Sequence, residues 1–226
     1  MKKPTVLAVI PAKGVSKRLP GKNLKMLAGK PMMTHIIDTV KGAAGVDRVI
    51  VSTESEEIKK VAIEHGAEVP FLRPVELTAD DVITQQVLNH ALEWLKENEG
   101  YVPDYVLLVF PTSPLLKRER IEEAIRIATE RDSDSVISGT SDKRYYWIEG
   151  EKGWKRLYPL ETVNSQWMKP VFCENGAIYL TKSKFIHKQY VADTADVLVM
   201  DEDENVDVDY PEDFEKVESI LGGRAS

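Results

Sequence analysis

Short runs of apolar, β-branched residues recur along the chain, separated by longer stretches in which apolar positions return every three or four residues. The first pattern suits a strand buried on both faces and the second a helix with one face in a core. Their alternation is how a parallel sheet with crossover helices reads. Strands are expected at 5–10, 48–53, 68–72, 105–110, 135–138, 176–180 and 196–200, and helices at 32–41, 56–65, 82–98, 118–131 and 211–220. Pro31 and Pro211 suit first helical turns, where a missing N–H costs nothing. In the helix at 82–98, Val82, Gln86, Leu88, Leu92 and Leu95 fall near one stripe, which the pattern assigns to the core.

The rhythm breaks between 141 and 174, where Tyr145, Tyr146, Trp147, Trp154, Tyr158 and Trp167 sit among charges and prolines without a period. Such an excursion either packs against a second subunit or a ligand, or closes as a flap over its own core. With no repeat and no low-complexity tract, 1–226 reads as one α/β domain of a size that buries a single large core.

Charge narrows the function. A formal net charge of −7 argues against a general binder of nucleic acid or anionic membrane, which needs excess Lys and Arg to displace counterions. The cations are unevenly placed: Lys13, Lys17, Arg18, Lys22 and Lys25 crowd one glycine-bearing stretch, and acids collect between Asp201 and Asp213. Cys173 is the only cysteine, so no internal disulfide forms. The start, Met1-Lys2-Lys3-Pro4, leads into an apolar run too short for a membrane span and without a cleavage-site pattern. A cytoplasmic protein is expected.

The stretch from Val9 to Leu24 follows the first strand and precedes a helix, and loops at the carboxyl ends of strands are where open α/β sheets bind ligands. Gly14 and Gly21 permit turns that bring N–H groups toward an anion, while Lys13, Lys17, Arg18 and Lys22 can neutralise a triphosphate. The spacing is neither that of a P-loop nor the dinucleotide fingerprint. A phosphate site is the functional reading and a solvated basic loop the alternative.

Near the other end stands Asp207-Val208-Asp209-Tyr210-Pro211-Glu212-Asp213. Alternation in an extended segment puts Asp207 and Asp209 on one side, where two hard oxygen ligands can share Mg²⁺; an exposed acidic strand end is the other reading. Glu212 and Asp213 suit a helix start instead. Two weaker segments are Phe110-Pro111-Thr112-Ser113-Pro114-Leu115, with Ser113 as cap or hydroxyl donor, and Glu174-Asn175-Gly176-Ala177-Ile178-Tyr179.

Together and in this order, these segments resemble the CMP-sugar-acid synthetases, above all the acylneuraminate (sialic acid) cytidylyltransferases and, more distantly, the enzymes that activate Kdo. The family's opening I-P-A-R-x-x-S-K-x-x-P-x-K-N is matched by Ile10, Pro11, Ala12, Ser16, Lys17, Pro20, Lys22 and Asn23, with Lys13 where arginine is usual. Val51-Ser52-Thr53-Glu54, Leu72-Arg73-Pro74, Pro111-Thr112-Ser113-Pro114-Leu115, Asn175-Gly176-Ala177-Ile178-Tyr179 and the final D-x-D-x-P-x-D complete a likeness spanning residues 5 to about 220.

The resemblance implies a Rossmann-like three-layer nucleotidyltransferase fold with a mostly parallel central sheet, a homodimer with 141–174 as a protruding arm, and Mg²⁺ as cofactor. It implies attack of a sugar hydroxyl on the α-phosphorus of CTP with loss of pyrophosphate, a reaction governed by positioning and charge stabilisation. Lys22 would lie on the phosphates, Lys13 and Lys17 on the departing pyrophosphate, and Asp207 with Asp209 on the metal. Ala12, Gly14, Ser16, Asn23, Arg73 and Ser113 match nucleotide-side positions, and Phe110, Gln166, Asn175 and Tyr179 sugar-side ones. No side chain stands out as a base, so an ordered or metal-bound water is expected to take the hydroxyl proton.

Two departures concern the sugar. Phe110 stands where the sialic acid enzymes usually have glutamine, and Asn164-Ser165-Gln166 where they usually have N-R-Q. The lost arginine leaves a substrate carboxylate to another cation, with Lys169, Lys143 and Arg144 as candidates. The expected acceptor is therefore a nonulosonate other than N-acetylneuraminate; Kdo, or a catalytically silent nucleotide binder, are the alternatives.

Overall fold

The computed structural model describes residues 3–201 and 204–224. The start at Met1 and Lys2, and Glu202 and Asp203 of the acidic stretch, lie outside the described residues. β1 (Val6–Pro11) leads through a loop to a small ribbon, β2 (Met26–Leu27) with β3 (Lys30–Pro31), and then to α1 (Met32–Gly42). β4 (Arg48–Ser52), α2 (Glu56–Glu64), α3 (Thr84–Glu99), β5 (Tyr105–Leu108), α4 (Arg118–Arg131) and β6 (Ser135–Asp142) follow. A separate hairpin of β7 (Tyr146–Gly150) and β8 (Gly153–Tyr158) precedes the long β9 (Val171–Lys182), the short α5 (Ser183–Ile186), β10 (Asp196–Val199) and α6 (Pro211–Arg224).

The main sheet has the order β10-β6-β9-β5-β1-β4. β1 is parallel to both β4 and β5, and β10 to β6. The mostly parallel expectation is met, except that the strand expected at 176–180 runs antiparallel to β5 and β6. The cause is its connection: the chain leaves β6 through the hairpin and returns from the same end of the sheet, without the crossover that parallel neighbours need. β6 and β9 also run beyond the sequence-based bounds, out of the core toward the hairpin. Their register shifts between Ile137 and Gly139, and a Cβ at Gly139 would run into the carbonyl of Cys173. The strand expected at 68–72 reduces to one parallel bridge from Glu68 to Ile50, because Pro70 has no N–H to continue the ladder.

β1 explains the layers. Val6, Ala8 and Ile10 pack with Met33, Ile36 and Val40 of α1 and Ile121 and Ala124 of α4, while Leu7 and Val9 pack with Leu88, Ala91 and Leu95 of α3. A strand buried on both faces puts alternate residues into two cores. The expected α3 stripe is corrected at Gln86, which is exposed and accepts the Ile83 N–H at 3.1 Å; Gln85, Val87 and Ala91 are the buried companions of Leu88. Two residues along a helix turn about 200° from the reference position, so Gln86 and Leu88 face apart.

A third, smaller core gathers Leu19 of the basic loop, Leu27 of β2, Leu115, Val206 and Val208 before α6, and Phe214 and Val217 within it. It joins the two ends of the chain and positions the site.

Candidate active site

At the carboxyl ends of β1 and β5, where the strand order reverses, the loops enclose a cleft of about 600 Å³, the place where open α/β sheets bind ligands. Lys13, Ser16, Lys17, Lys22 and Asn23 line it from the basic loop, Arg73, residues 77–80 and Val82 from the segment before α3, Phe110 to Thr112 from the end of β5, and Asp207 and Asp209 from the chain before α6.

The basic loop and the acid pair meet directly. Lys22 Nζ lies 2.9 Å from Asp209 Oδ1 and donates to the Val208 carbonyl at 3.0 Å, while an Arg18 nitrogen lies 2.6 Å from Asp209 Oδ2. Val206 and Val208 are buried in the third core, so the extended backbone turns Asp207 and Asp209 to the cleft. The Val208 N–H donates to the Thr112 carbonyl at 2.8 Å, and the Asp213 carboxylate accepts the N–H groups of Asp209 at 3.1 Å and Tyr210 at 2.9 Å. Asp213 is thus a helix-start acid, as expected, and it also fixes Asp209. Upstream, Glu204 is buried between Lys117 at 2.6 Å and Arg120 at 2.8 Å. Burial raises its pKa, but the two cations outweigh burial and the net shift is downward.

On the other side of the loop, the Lys13–Gly14 peptide is held at both ends. Its carbonyl accepts from Asn23 Nδ2 at 2.9 Å, and its N–H donates to Glu54 Oε1 at 2.6 Å. The expectation that the Gly14 N–H faces an anion is corrected here, because that N–H is already spent. Gly14 sits in a tight space: a Cβ would stand 3.1 Å from Ser55 Cβ. The other Glu54 oxygen accepts from Arg73 at 2.8 Å. Ala12 is buried, with its N–H on the Ser52 carbonyl, and Ser113 is buried with its N–H on Phe110 O. Neither they nor Gly14 line the cleft. Lys13 and Lys17 both pair with Asp80 across the opening, and this hydrogen bond and charge raise the Lys17 pKa.

Nothing local in the sequence marks Glu54, Asp80 or Thr112 as site residues. Each signal was available only as a motif letter or a lone acid, since their partners are distant in the chain.

The cytidylyltransferase family pattern matches residues 7–220. The chain belongs to the cytidylyltransferase family. It is 32% identical to the CMP-N,N'-diacetyllegionaminic acid synthase of Legionella pneumophila, over 96% of both chains. It is 30% identical to the N-acylneuraminate cytidylyltransferase of Streptococcus agalactiae, with 92% of this chain and 51% of that protein covered, so it spans about half that relative's length. The structure of a CMP:2-keto-3-deoxy-manno-octonic acid synthetase complexed with CTP superposes with a TM-score of 0.72 at 17% identity, covering 97% and 99% of the two chains; that likeness establishes a shared nucleotidyltransferase fold.

Among the described residues that line the cleft, two buried polar atoms have no protein partner, Asn23 Oδ1 and Arg73 Nε. An unsatisfied acceptor and donor on residues that line one cleft are what a polar ligand would satisfy. At the inner end Phe110 meets the Tyr179 ring edge-on at 6.5 Å, and Tyr179 meets Tyr190 at 5.1 Å. Tyr179 Oη donates to Glu174 at 3.1 Å, and burial together with the Glu174 charge raises its pKa strongly. Asn175 is engaged with Ser138, the Ala177 N–H and Met200; its neighbour Gly176 lines the cleft, while Asn175 and Tyr179 do not. Gln166 is exposed on the 3₁₀ turn Ser165–Trp167 and lies outside the cleft of its own chain. The same holds for Lys143, Arg144 and Lys169, and Arg144 is paired with Asp142.

Asp207 and Asp209 suit a hard divalent cation. The protein around Asp207 raises its pKa by desolvation, and the Asp209 charge adds to that despite a hydrogen bond from Thr112; a cation between the two acids would relieve both effects. Among the described residues no group of three or more His, Cys, Asp or Glu is arranged to hold a metal ion by itself. Two carboxylates completed by phosphate oxygens and water fit Mg²⁺ better than a metal that needs a full protein cage.

Proposed function

We propose that this cytidylyltransferase transfers the cytidylyl group of CTP to the anomeric hydroxyl of a nonulosonic sugar acid. The observation that carries the reading is the contact of Lys22 and Arg18 with Asp209 in a cleft that Arg73 and Asn23 also line: cations for a triphosphate and acids for its metal share one site.

The sugar oxygen forms a bond to the α-phosphorus, the bond from that phosphorus to the bridging oxygen breaks, and pyrophosphate leaves with the electron pair. Lys13, Lys17 and Lys22 balance the charge that develops on the leaving group. Asn23 and Arg73 orient the nucleoside, and Asp207 and Asp209 would hold Mg²⁺, which when bound would polarise the phosphate. No carboxylate or histidine of this chain is assigned as base; the hydroxyl proton goes to an ordered water.

For the acceptor, Phe110 and Ser165 favour a nonulosonate other than N-acetylneuraminate, and the legionaminic acid relative supports this direction. Two chains associate through the arm: Trp147, Trp154, Leu157, Leu160 and Trp167 are exposed on it, more aromatic surface than a monomer usually leaves in water. Mg²⁺ dependence, a homodimer and a cytoplasmic location, which suits the free exposed thiol of Cys173, complete the proposal.

Pyrophosphate release is measured with CTP, UTP, GTP and ATP against N-acetylneuraminate, legionaminate, pseudaminate and Kdo. Release is expected with CTP and a nonulosonate only. Equal or better turnover of N-acetylneuraminate overturns the acceptor assignment, and no release with any pair overturns the reaction.

A further inference from the structure

Glu54 follows β4 and does not line the cleft, yet its carboxylate touches both the basic loop and Arg73. One oxygen accepts the Gly14 N–H at 2.6 Å and the other accepts from Arg73 at 2.8 Å. Both acid and cation are sheltered, with only 15% and 3% of their side chains exposed. The surrounding backbone is equally constrained, since the Ala12 N–H is bound to Ser52 O at 3.0 Å and the Arg73 N–H to Thr53 O at 2.8 Å. With Asn23 holding the carbonyl of the Lys13–Gly14 peptide, that peptide plane has no freedom to rotate, and the direction in which Lys13 leaves the backbone is set.

From this geometry we infer that Glu54 is a positioning residue for CTP: it fixes Arg73 with one oxygen and the Lys13 backbone with the other, so that the nucleoside end and the phosphate end of the nucleotide are held at one spacing. The inference rests on the cytidylyltransferase reading above. It also explains why a glycine stands at 14, where the carboxylate approaches so closely that a Cβ would stand 3.3 Å from it. A charge-assisted bond to a buried guanidinium orients the fork, and an offset of about 1 Å in a reacting group costs on the order of 100-fold in rate.

Glu54→Asp shortens the reach by one methylene and cannot hold both partners at once. The expected result is a folded protein whose CTP affinity, measured by calorimetry without sugar, falls about 10-fold or more, with kcat reduced and KM for the sugar acid within about twofold of the parent. Should Glu54→Asp fail to fold, the isosteric Glu54→Gln carries the same test, because it keeps an acceptor for Gly14 and loses the charge on Arg73. Unchanged CTP affinity in a folded variant, or an equal loss in the CTP and sugar parameters, overturns the inference. Failure of the parent protein itself to bind CTP is the distinct result that removes the cytidylyltransferase reading beneath it.

Discussion

The floor of the cleft and the arm are both irregular in sequence, but they satisfy themselves differently. At the floor, Asp209 has both carboxylate oxygens and its own N–H engaged, and behind it Glu54 and Glu204 each use both oxygens. On the arm, β7 and β8 pair only with each other, and Trp154, Trp167 and Leu160 remain 66%, 74% and 78% exposed. Its internal order comes from a few contacts: Tyr145 Oη to Val163 O at 2.7 Å, Tyr158 Oη to Lys169 O at 2.8 Å, and Arg156 over the rings of Tyr145 and Trp147. Apart from Asn23 Oδ1 and Arg73 Nε, the polar groups named at the floor find their partners within one chain. The arm carries apolar surface that one chain does not cover.

The comparison breaks most sharply at Asp209. Asp209→Ala removes the acid from a site whose cations stay in place, and turnover should fall by about 10³-fold, with circular dichroism unchanged. Near-parental pyrophosphate release would show that the floor is structural only.

Next is the arm. Trp154→Glu with Trp167→Glu should weaken self-association by about 100-fold, the scale of a lost aromatic anchor, as read by sedimentation velocity across a dilution series. A parent chain that already sediments as a monomer at every concentration would remove the contrast.

Glu204 tests whether the floor needs its ion cluster. Glu204→Gln leaves Lys117 and Arg120 without their buried anion and should cost about 3 kcal/mol, or about 6–12 °C in Tm for a chain of this size. The parent also gains a pH signature. The folded pKa of Glu204 lies below the ordinary 4.5, so its contribution is full above that value and is lost as pH falls through the folded pKa. The glutamine variant should lack that part of the acid-induced fall in Tm; parallel Tm–pH curves would dismiss the cluster.

The smallest effect sharpens the boundary between the two regions. Phe110→Gln puts an amide where the aromatic wall stands and should shift the ratio of kcat/KM toward N-acetylneuraminate by about 10-fold, in a competition assay with both sugars present. An unaltered ratio would place acceptor choice on the arm rather than on the floor.

Much of the fold was legible because local patterns report which face of an element is apolar. The β-branched runs located four strands of the main sheet closely, with β6 ended too early and β9 begun too late, and Pro31 and Pro211 marked helix starts. The pattern misled at 68–72, where Pro70 interrupts an apolar run, and at Gln86, where a helical stripe was drawn through a position on the opposite face. In the site, the lysines were legible from their density after β1. Glu54 and Asp80 were not, since an isolated acid looks the same whether it is solvated or bound.

By itself the sequence determined the layered α/β class, the cationic loop after the first strand and the common side of Asp207 and Asp209, which follows from alternation along an extended segment. The tertiary structure alone decided that Lys22 meets Asp209 across 187 positions of chain, that β9 runs antiparallel, and that the Gly14 N–H is taken by Glu54. Periodicity is set by backbone geometry over a few residues, whereas the partner a polar group finds is set by which distant segments share a core. Here that core is the small cluster of Leu19, Leu27, Leu115, Val206, Val208 and Phe214, and burying it is what draws the two ends of the chain to one cleft.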